Sequence, residues 1–590
     1  MIKGVGIKWS SRSPIVLAKR WNSTKPFYIT TPIFYVNAKP HLGHLYSMLL
    51  GDTRIRWEKL DPTNKAYFLT GTDEHGLKIQ AAAEKLNMEP KELVDQVSQN
   101  FKNLAEVLNV NYDRFMRTTD ADHAEVVKYF WNLMMEKGYI YEGSHSGWYS
   151  ISDETFYPET QIEEIIDKDN NKKMIAKESR NEVVYQDEIN YFFRLSKFQD
   201  QLLKHFEANP EFILPTQRYN QILKELRETK FEDLSISRPS SRLKWSIEVP
   251  NDPSQKIYVW FDALLNYITA TGYPQAFTKT DDGYITPQDN PWPATHIVGK
   301  DIIKFHCIYW PIFLMAAGVD VPKQVIVHSH WLSDGFKMSK SLGNVVDPLE
   351  MLAYYGQDSI RFFLMENSNI DDDCKFSENL LVLSRDMIIG KYANLVTRIG
   401  GKSFNIRESI EYYHDKKYEG INELIEQYSV DKSKVEELIK TKDELIIGLD
   451  SIYEKMNEKI IKFDYIRAIQ EWWLIIDKAN YLFQNAEPWL LVKQIKQNKD
   501  DIKVNEQIKV VINFYTFLAS ETSRISSILI NPVMPGLSTK ILDRLGVEQG
   551  KRFVSDCKIG KDLSYGVDAN STKHKLPIER VEIRGNSVEK

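Results

Sequence analysis

The 590-residue sequence predicts an α/β fold: a doubly wound parallel-sheet domain, split by a small β-rich insertion and followed by an α-helical bundle. Three observations predict it. Strand-like and helix-like segments alternate from Lys25 to about Tyr139, which is how a parallel sheet with crossover helices reads. Strand character then breaks off and returns in "KIYVWFDALLNYI", "ATHIVGKD" and "KQVIVHSHWL", as the second half of an interrupted sheet would. From about Ser384 onward, apolar residues recur by threes and fours, the spacing of helices buried on one face.

The elements follow in order. Met1 to Gly51 has no acidic residue, while Lys3, Lys8, Arg12, Lys19, Arg20 and Lys25 are basic and stand beside Ser10, Ser11 and Ser13. This reads as a mitochondrial transit peptide over 1–25; a basic tail that binds RNA non-specifically is the alternative. Removing those six basic residues takes the formal charge from −6 to −12. So acidic a body argues against indiscriminate nucleic-acid binding, but not against a local basic groove. Residues 26–139 make the first half of the sheet. Tyr28 to Val36 is β-branched and aromatic, as a buried strand is. Asn37 to Pro40 is turn chemistry, and Leu42, Leu45, Leu49 and Ile55 then fall at helical spacing. "KAYFLTGTDEHGLKIQAAAEKL" repeats the order of strand, polar turn and helix.

Residues 140–215 are the insertion, where "GWYSISDETFYPE" and "EVVYQDEINYFFRLS" flank a charged loop. Residues 216–330 return to the sheet, 331–383 connect, 384–540 form the bundle, and 541–590 are a C-terminal segment of weak pattern. Within the bundle Leu445, Leu449, Ile452, Met456, Ile460 and Phe463 form a stripe that Ile466, Ile469, Trp473 and Ile476 continue. Such a stripe is core. With 42% apolar and 27% charged residues the composition is that of a soluble globular protein. No run approaches the ~18 apolar residues of a membrane span. Cys307, Cys374 and Cys557 lie too far apart for a disulfide framework or a CxxC zinc site.

Two short motifs carry chemistry. "HLGH" places His41 and His44 around Gly43 where a strand gives way to a helix, and open α/β sheets bind anions at such junctions. "LSDGFKMSKSLGNVVDP" places Lys337 and Lys340 three apart among Ser, Gly and Met. Alone, each is weak, because junction histidines often only cap and lysine–serine turns are usually solvated. In this order, about 300 residues apart on the two halves of a split sheet, they resemble the two signatures of the class I aminoacyl-tRNA synthetases. "HLGH" matches the HIGH signature and "KMSKS" matches the second letter for letter. The segments "TTPIFYVN", "GTDEHG", "ISRPSSRLKW", "YVWFDALLNY" and "GKDIIKFHCIYWP" are similar in turn to the methionyl-tRNA synthetase family, from about Phe27 to Ser377 and more loosely through the helical part.

The resemblance implies a Rossmann-like catalytic domain that activates methionine with ATP and charges tRNA(Met); the basic N-terminus places it in the mitochondrial matrix. It implies that His41, His44, Lys337 and Lys340 are catalytic, stabilising negative charge that grows on the phosphates. ATP binding falls to these four with Gly43, which leaves room for adenine, and with Gly299 and Asp301, the latter at the ribose hydroxyls. The methionine pocket falls to Ile33, Tyr35, Asp73, Arg238, Trp260, Tyr267, Phe305 and His306, with Asp73 on the ammonium; a polarizable thioether packs well on aromatic rings. Trp260 and Tyr267 also read as plain core aromatics, and Asp73 as a helix N-cap. Asn394, Arg398 and Trp489 match anticodon-reading positions, where bases stack on aromatic rings.

Two departures stand out. Leu264 and Leu265 alter one wall of the tryptophan segment. The insertion stretch "HSGWYSISDETFYPE" lacks cysteine, and His145 alone makes no tetrahedral site. No zinc is therefore expected, only Mg2+ accompanying ATP. The insertion is too short to be the editing domain of the leucine, isoleucine and valine enzymes. A monomer is expected, without membrane insertion. The rivals are a small-molecule nucleotidyltransferase, which would be shorter, and an RNA-binding factor that has lost catalysis.

Overall fold

The computed structural model describes residues 25–150, 155–166, 172–333, 336–337, 346–498, 500–567 and 578–584. Residues 1–24, nearly all of the stretch read as a transit peptide, lie outside them. β1 (Phe27–Tyr35) leads into helix α1 (Leu42–Glu58), and β2 (Ala66–Asp73) and β3 (Arg114–Arg117) follow. Further along come β4 (Ile213–Leu214), β5 (Thr295–Gly299) and β6 (Gln324–His328). The six strands form one parallel sheet in the order β3-β2-β1-β5-β6-β4.

Alternate residues of these strands enter two different cores. Ile29, Phe68, Ile297 and Ile326 join the core shared with α1 and the helical region, while Tyr28, Leu69, Val298 and Val327 join the core on the opposite face. Burial on both faces is why the strands read as unbroken apolar runs. Strand order turns back between β1 and β5, and at such a switch point a crevice opens beyond the carboxyl ends.

Ile213–Leu214 falls inside the span read as insertion, yet it pairs with β6 at the sheet edge. Two residues carry no strand pattern of their own. The insertion itself rests on an antiparallel pair, Ile140–Ser150 against Val184–Phe193, widened by Thr155–Tyr157 and Leu234–Ser235. A separate hairpin joins Ile162–Ile166 to Lys172–Ala176.

The long apolar stripe belongs to two helices, Val435–Ile460 and Tyr465–Ala486, parted by a turn in which Phe463 has φ 60°. Asp464 caps the second helix by accepting from the Arg467 N–H at 3.1 Å. Behind them runs Ile502–Ile530, buried all round from Val511 to its end, as a helix at the centre of a bundle is. Its buried Glu521–Arg524 pair is completed by the C-terminal segment: Tyr565 and Gly560 donate to Glu521, and Arg524 donates to the Asp556 and Lys558 carbonyls. That explains the weak pattern after residue 541. After Leu545 the segment is held by these polar contacts together with scattered apolar anchors, Val547, Cys557 and Tyr565, that make no periodic face.

Candidate active site

His41 is the N-cap of α1. Its Nδ1 accepts from the Gly43 N–H at 3.0 Å, and its own N–H donates to His44 Nδ1 at 3.1 Å. A backbone N–H only donates, so each Nδ1 is a lone pair and a neutral ring carries its proton on Nε2. The two rings stack at 3.8 Å with 26° between their planes, an arrangement two cations would resist. Phe34 and Phe101 close on His44 edge-on, each at 5.1 Å. Burial, with His41 beside it, pushes His44 well below the usual histidine value. The result is a neutral N–H donor at a helix N-terminus, where negative charge is favoured. A Cβ on Gly43 would meet the His41 ring at 2.9 Å, so the cap itself requires glycine.

Near the carboxyl end of β1, most of the residues matched to a side-chain pocket come together. Trp260 and Phe305 stack at 3.7 Å and 11°, and with Ile33 they pack half-buried on the second core. Tyr267 is buried and lies 2.7 Å from His306 Nε2. Hydrogen-bond direction there is set by the other ring nitrogen: His306 Nδ1 is 3.0 Å from the Ile302 carbonyl, which only accepts. Burial pushes His306 down to about 4, so the ring is neutral and the Tyr267 hydroxyl donates to Nε2. Phe305 and His306 stand on a π-helical turn, Phe305–Tyr309, that runs into the helix Trp310–Ala317. Such turns recur at functional sites.

Asp73 closes β2, buried, and is no helix cap, since Gly76 caps the helix that follows. Burial, and to a smaller degree the Asp73 charge, push the Tyr267 hydroxyl up. Tyr35 donates its hydroxyl to the His75 carbonyl at 2.8 Å. Arg238 sits at the junction with the insertion, against the rings of Tyr149 and Tyr258 at 5.0 and 4.8 Å. Its Nη1 donates to Ser235 Oγ at 2.9 Å and to the Ser237 carbonyl at 2.6 Å. It lines a cavity of about 330 Å³ with Tyr258 and Ile308.

The depressed His306 value has a consequence for stability. The unfolded chain takes up a proton near the ordinary 6.5 that the folded chain refuses until about 4. Stability from this group is whole above pH 6.5 and falls as pH drops towards 4. His328, also held at about 4 by burial, adds in the same direction. Urea midpoints measured from pH 8 to pH 5 are expected to be level down to about 6.5 and then to fall; a flat profile to pH 5 would refute the shift.

Gly299 ends β5 opposite His328 of β6. Asp301, in the turn after β5, pairs with His330 at 3.0 Å, and Asp373 accepts from Lys300 at 2.7 Å and from the His330 N–H at 2.8 Å. Lys337 ends a short strand paired with Trp331–Ser333. Its side chain and the whole of Lys340 lie outside the described residues, as does the side chain of His145. Two buried groups beside the site carry no sequence signature. His328 accepts from Ser47 of α1 at 2.8 Å while donating from Nδ1 to the Ser329 carbonyl. Asp262 is shared by His75 Nδ1 at 2.6 Å and His123 Nε2 at 2.8 Å. A histidine closing the apolar run "QVIVH" was the one available hint. Among the described residues no cluster of His, Cys, Asp and Glu could hold a metal ion, and no helix is long and apolar enough to cross a membrane.

In the bundle, the Arg398 guanidinium lies over the rings of Trp489 and Phe483, at 5.4 and 5.0 Å, and donates to Gln484 at 2.9 Å. Asn394 is one turn earlier on the same helix, directly after a second π-helical turn, Ile388–Ala393.

Residues 27–400 match the family described as tRNA synthetases class I (M). The chain is 60% identical over 578 residues to the mitochondrial methionine–tRNA ligase of Candida albicans, covering 98% of this chain and 100% of that one. It is 44% identical to the mitochondrial enzyme of Saccharomyces cerevisiae, over 95% and 96% of the two chains. A crystal structure of Mycobacterium tuberculosis methionyl-tRNA synthetase bound by methionyl-adenylate superposes with a TM-score of 0.76 at 33% identity, covering 90% of this chain and 96% of that one. With a histidine-capped junction at the switch point and these likenesses over nearly its whole length, the chain belongs to the class I tRNA synthetases (M).

Proposed function

We propose that the chain is a methionine–tRNA ligase of the mitochondrial matrix, acting as a monomer. The methionine carboxylate attacks the α-phosphorus of ATP, forming methionyl-adenylate and expelling pyrophosphate; the methionyl group then passes to the 3′-terminal adenosine of tRNA(Met). One observation carries this reading: a neutral histidine cap on α1 and an aromatic cluster, Trp260 stacked on Phe305 with Tyr267 bonded to His306, both stand at the switch point of one parallel sheet. The pocket suits a thioether, which neither donates nor carries charge. Asp73 supplies the negative charge for the ammonium. The Nε2–H donors of His41 and His44 meet the phosphates as negative charge grows there, and Lys337 and Lys340 neutralise the departing pyrophosphate. Asp301 bonds the ribose hydroxyls of ATP, beside Gly299. Mg2+ enters with ATP on its phosphates.

ATP–pyrophosphate exchange by the full chain with each of the twenty amino acids tests this. Exchange with methionine alone is expected. None with any amino acid, from folded protein that still binds tRNA, would leave an RNA-binding factor instead. Asn394, Arg398 and Trp489 are proposed to read the anticodon. Trp489→Ala is expected to weaken tRNA(Met) charging by ~1–3 kcal/mol in kcat/KM, the range of one stacked base, while exchange without tRNA is unchanged. Equal losses in both assays would make Trp489 structural.

A further inference from the structure

The helix Asn394–Ile399 buries Leu395, Val396 and Ile399 and leaves Asn394, Thr397 and Arg398 half-buried on one stripe, by their i, i+3, i+4 spacing. A second arginine reaches that stripe from another element. Arg544, in the last turn of the helix Pro535–Leu545, donates from Nη1 to Thr397 Oγ1 at 3.4 Å, and a Cβ on Gly400 would meet its Nη2 at 3.1 Å. Thr397 spends its own proton on the Ala393 carbonyl at 2.9 Å, so towards Arg544 it only accepts. Elsewhere in the chain buried and half-buried guanidiniums are matched by acids: Arg117 by Glu74 and Asp95, Arg361 by Asp52, Arg524 by Glu521. Here they are not. Among the described residues no carboxylate pairs with Arg398 or Arg544, and Asp543, the acid next to Arg544, is taken by Arg552 at 2.6 Å. Burial pulls both arginines below the usual value, with no neighbouring acid to raise them. Arg544 Nε is buried without a partner among the described residues.

We propose that Arg544 is a tRNA-binding residue that takes a backbone phosphate of the anticodon loop, beside the bases met by Asn394, Arg398 and Trp489. The inference deepens the anticodon assignment and rests on it. A guanidinium presents five N–H donors in a planar fork, and Arg544 spends one of them on a long bond. A half-buried cation with unspent donors and no counter-ion is costly until a ligand brings the opposite charge. Phosphate fits that fork with two parallel hydrogen bonds. Arg398 is differently placed: its fork lies over the rings of Phe483 and Trp489 and is bonded to Gln484, which suits a stacked base. The chain as a whole is acidic, with a formal charge of −6, so an RNA backbone is drawn to a local pair of cations and not to the body at large. A cation at the end of a helix also balances its carbonyls. That role lends stability whether or not RNA is bound, and RNA-dependent readouts separate the two.

The test is charging of a tRNA(Met) transcript by the full chain, with kcat/KM for tRNA followed from roughly 50 to 200 mM salt. Arg544→Gln is expected to lower kcat/KM several-fold at the low end and less at the high end. The slope of log kcat/KM against log salt is expected to become shallower by ~0.7–0.9, the share of one phosphate contact. Discrimination against the same tRNA with one anticodon base changed is expected to hold, because a phosphate contact carries no sequence. Pyrophosphate exchange without tRNA is expected to hold as well. Trp489→Ala, measured alongside, is expected to do the reverse, losing discrimination and keeping the slope. Arg544→Lys keeps the charge and is expected to keep the slope. An unchanged slope in Arg544→Gln, or a loss of exchange as large as the loss of charging, would overturn the inference and leave Arg544 a helix cap. Should Arg544→Gln fail to fold, Arg544→Met, which keeps an apolar stem, serves the same comparison. If Trp489→Ala and Arg398→Ala both leave charging untouched, the anticodon assignment itself fails and the inference with it.

Discussion

His44→Ala is expected to slow methionyl-adenylate formation by about 10²–10³-fold, the range for losing one preorganised donor to developing negative charge, while methionine binding hardly changes. The asymmetry follows from where the ring stands. His44 is on the first turn of α1, neutral, with its proton held on Nε2 by the His41 N–H at Nδ1. Trp260, Phe305 and Tyr267 rest on other elements and on the other core. Alanine is a good helix former, so α1 survives, and the loss is that of a donor whose value lies in being aimed beforehand. His41→Ala is expected to cost as much or more, because it removes the cap together with the donor. Single-turnover adenylate formation set beside methionine binding by calorimetry separates the two quantities. Equal losses in both would make the histidines structural.

Much of this arrangement is legible in the sequence because it is local. Strand, turn and helix from Phe27 to Glu58 follow from residues near one another in the chain, and the His41–Gly43–His44 cap is made within four residues. The pocket aromatics are legible for a different reason: Trp260, Tyr267, Phe305 and His306 lie in segments whose resemblance to a family identifies them together. Residues whose meaning depends on distant partners are not legible. His296 is one buried histidine in a β-run until Trp310, 14 residues on, and Thr30, 266 residues back, are brought to its two nitrogens. Asp262 looks like an acid inside an apolar helix, and only the fold shows that it is shared by His75 and His123. The break in the bundle stripe escapes as well. Helical spacing carries across Ile461–Asp464 through Phe463, and no shift in the apolar register marks the turn.

Asp52→Ala is expected to destabilise the folded chain by ~3–5 kcal/mol, the cost of leaving a buried charge without its partner. Asp52 is fully buried in the middle of α1. Its Oδ2 accepts from Arg361 Nη2 at 2.6 Å and from Arg56 Nε at 2.8 Å, and its Oδ1 accepts from the Asn111 N–H at 2.7 Å. Arg361, buried as deeply, spends its remaining donors on the carbonyls of Val533, Pro532 and Leu108. The ion pair therefore joins α1 to the helix Gln357–Glu366, which carries Arg361, and the remaining Arg361 donors tie both to the turn that follows Ile530. Burial pulls Arg361 below the usual arginine value, against the Asp52 charge that raises it, yet a guanidinium does not shed its proton at physiological pH. Without Asp52 the cation stays in the core with three carbonyl dipoles in contact and the Asp358 carboxylate as its remaining counter-charge. The combined Asp52→Leu, Arg361→Met variant is expected to recover part of the loss, since a buried pair replaced by apolar side chains is often near neutral. Recovery stays incomplete because three carbonyls lose their donor. Below its lowered unfolding midpoint, Asp52→Ala is expected to form adenylate at nearly the normal rate, the reverse of His44→Ala. Urea denaturation and pyrophosphate exchange on the same samples distinguish the two, and an unshifted midpoint would show that water or a local rearrangement supplies the missing partner.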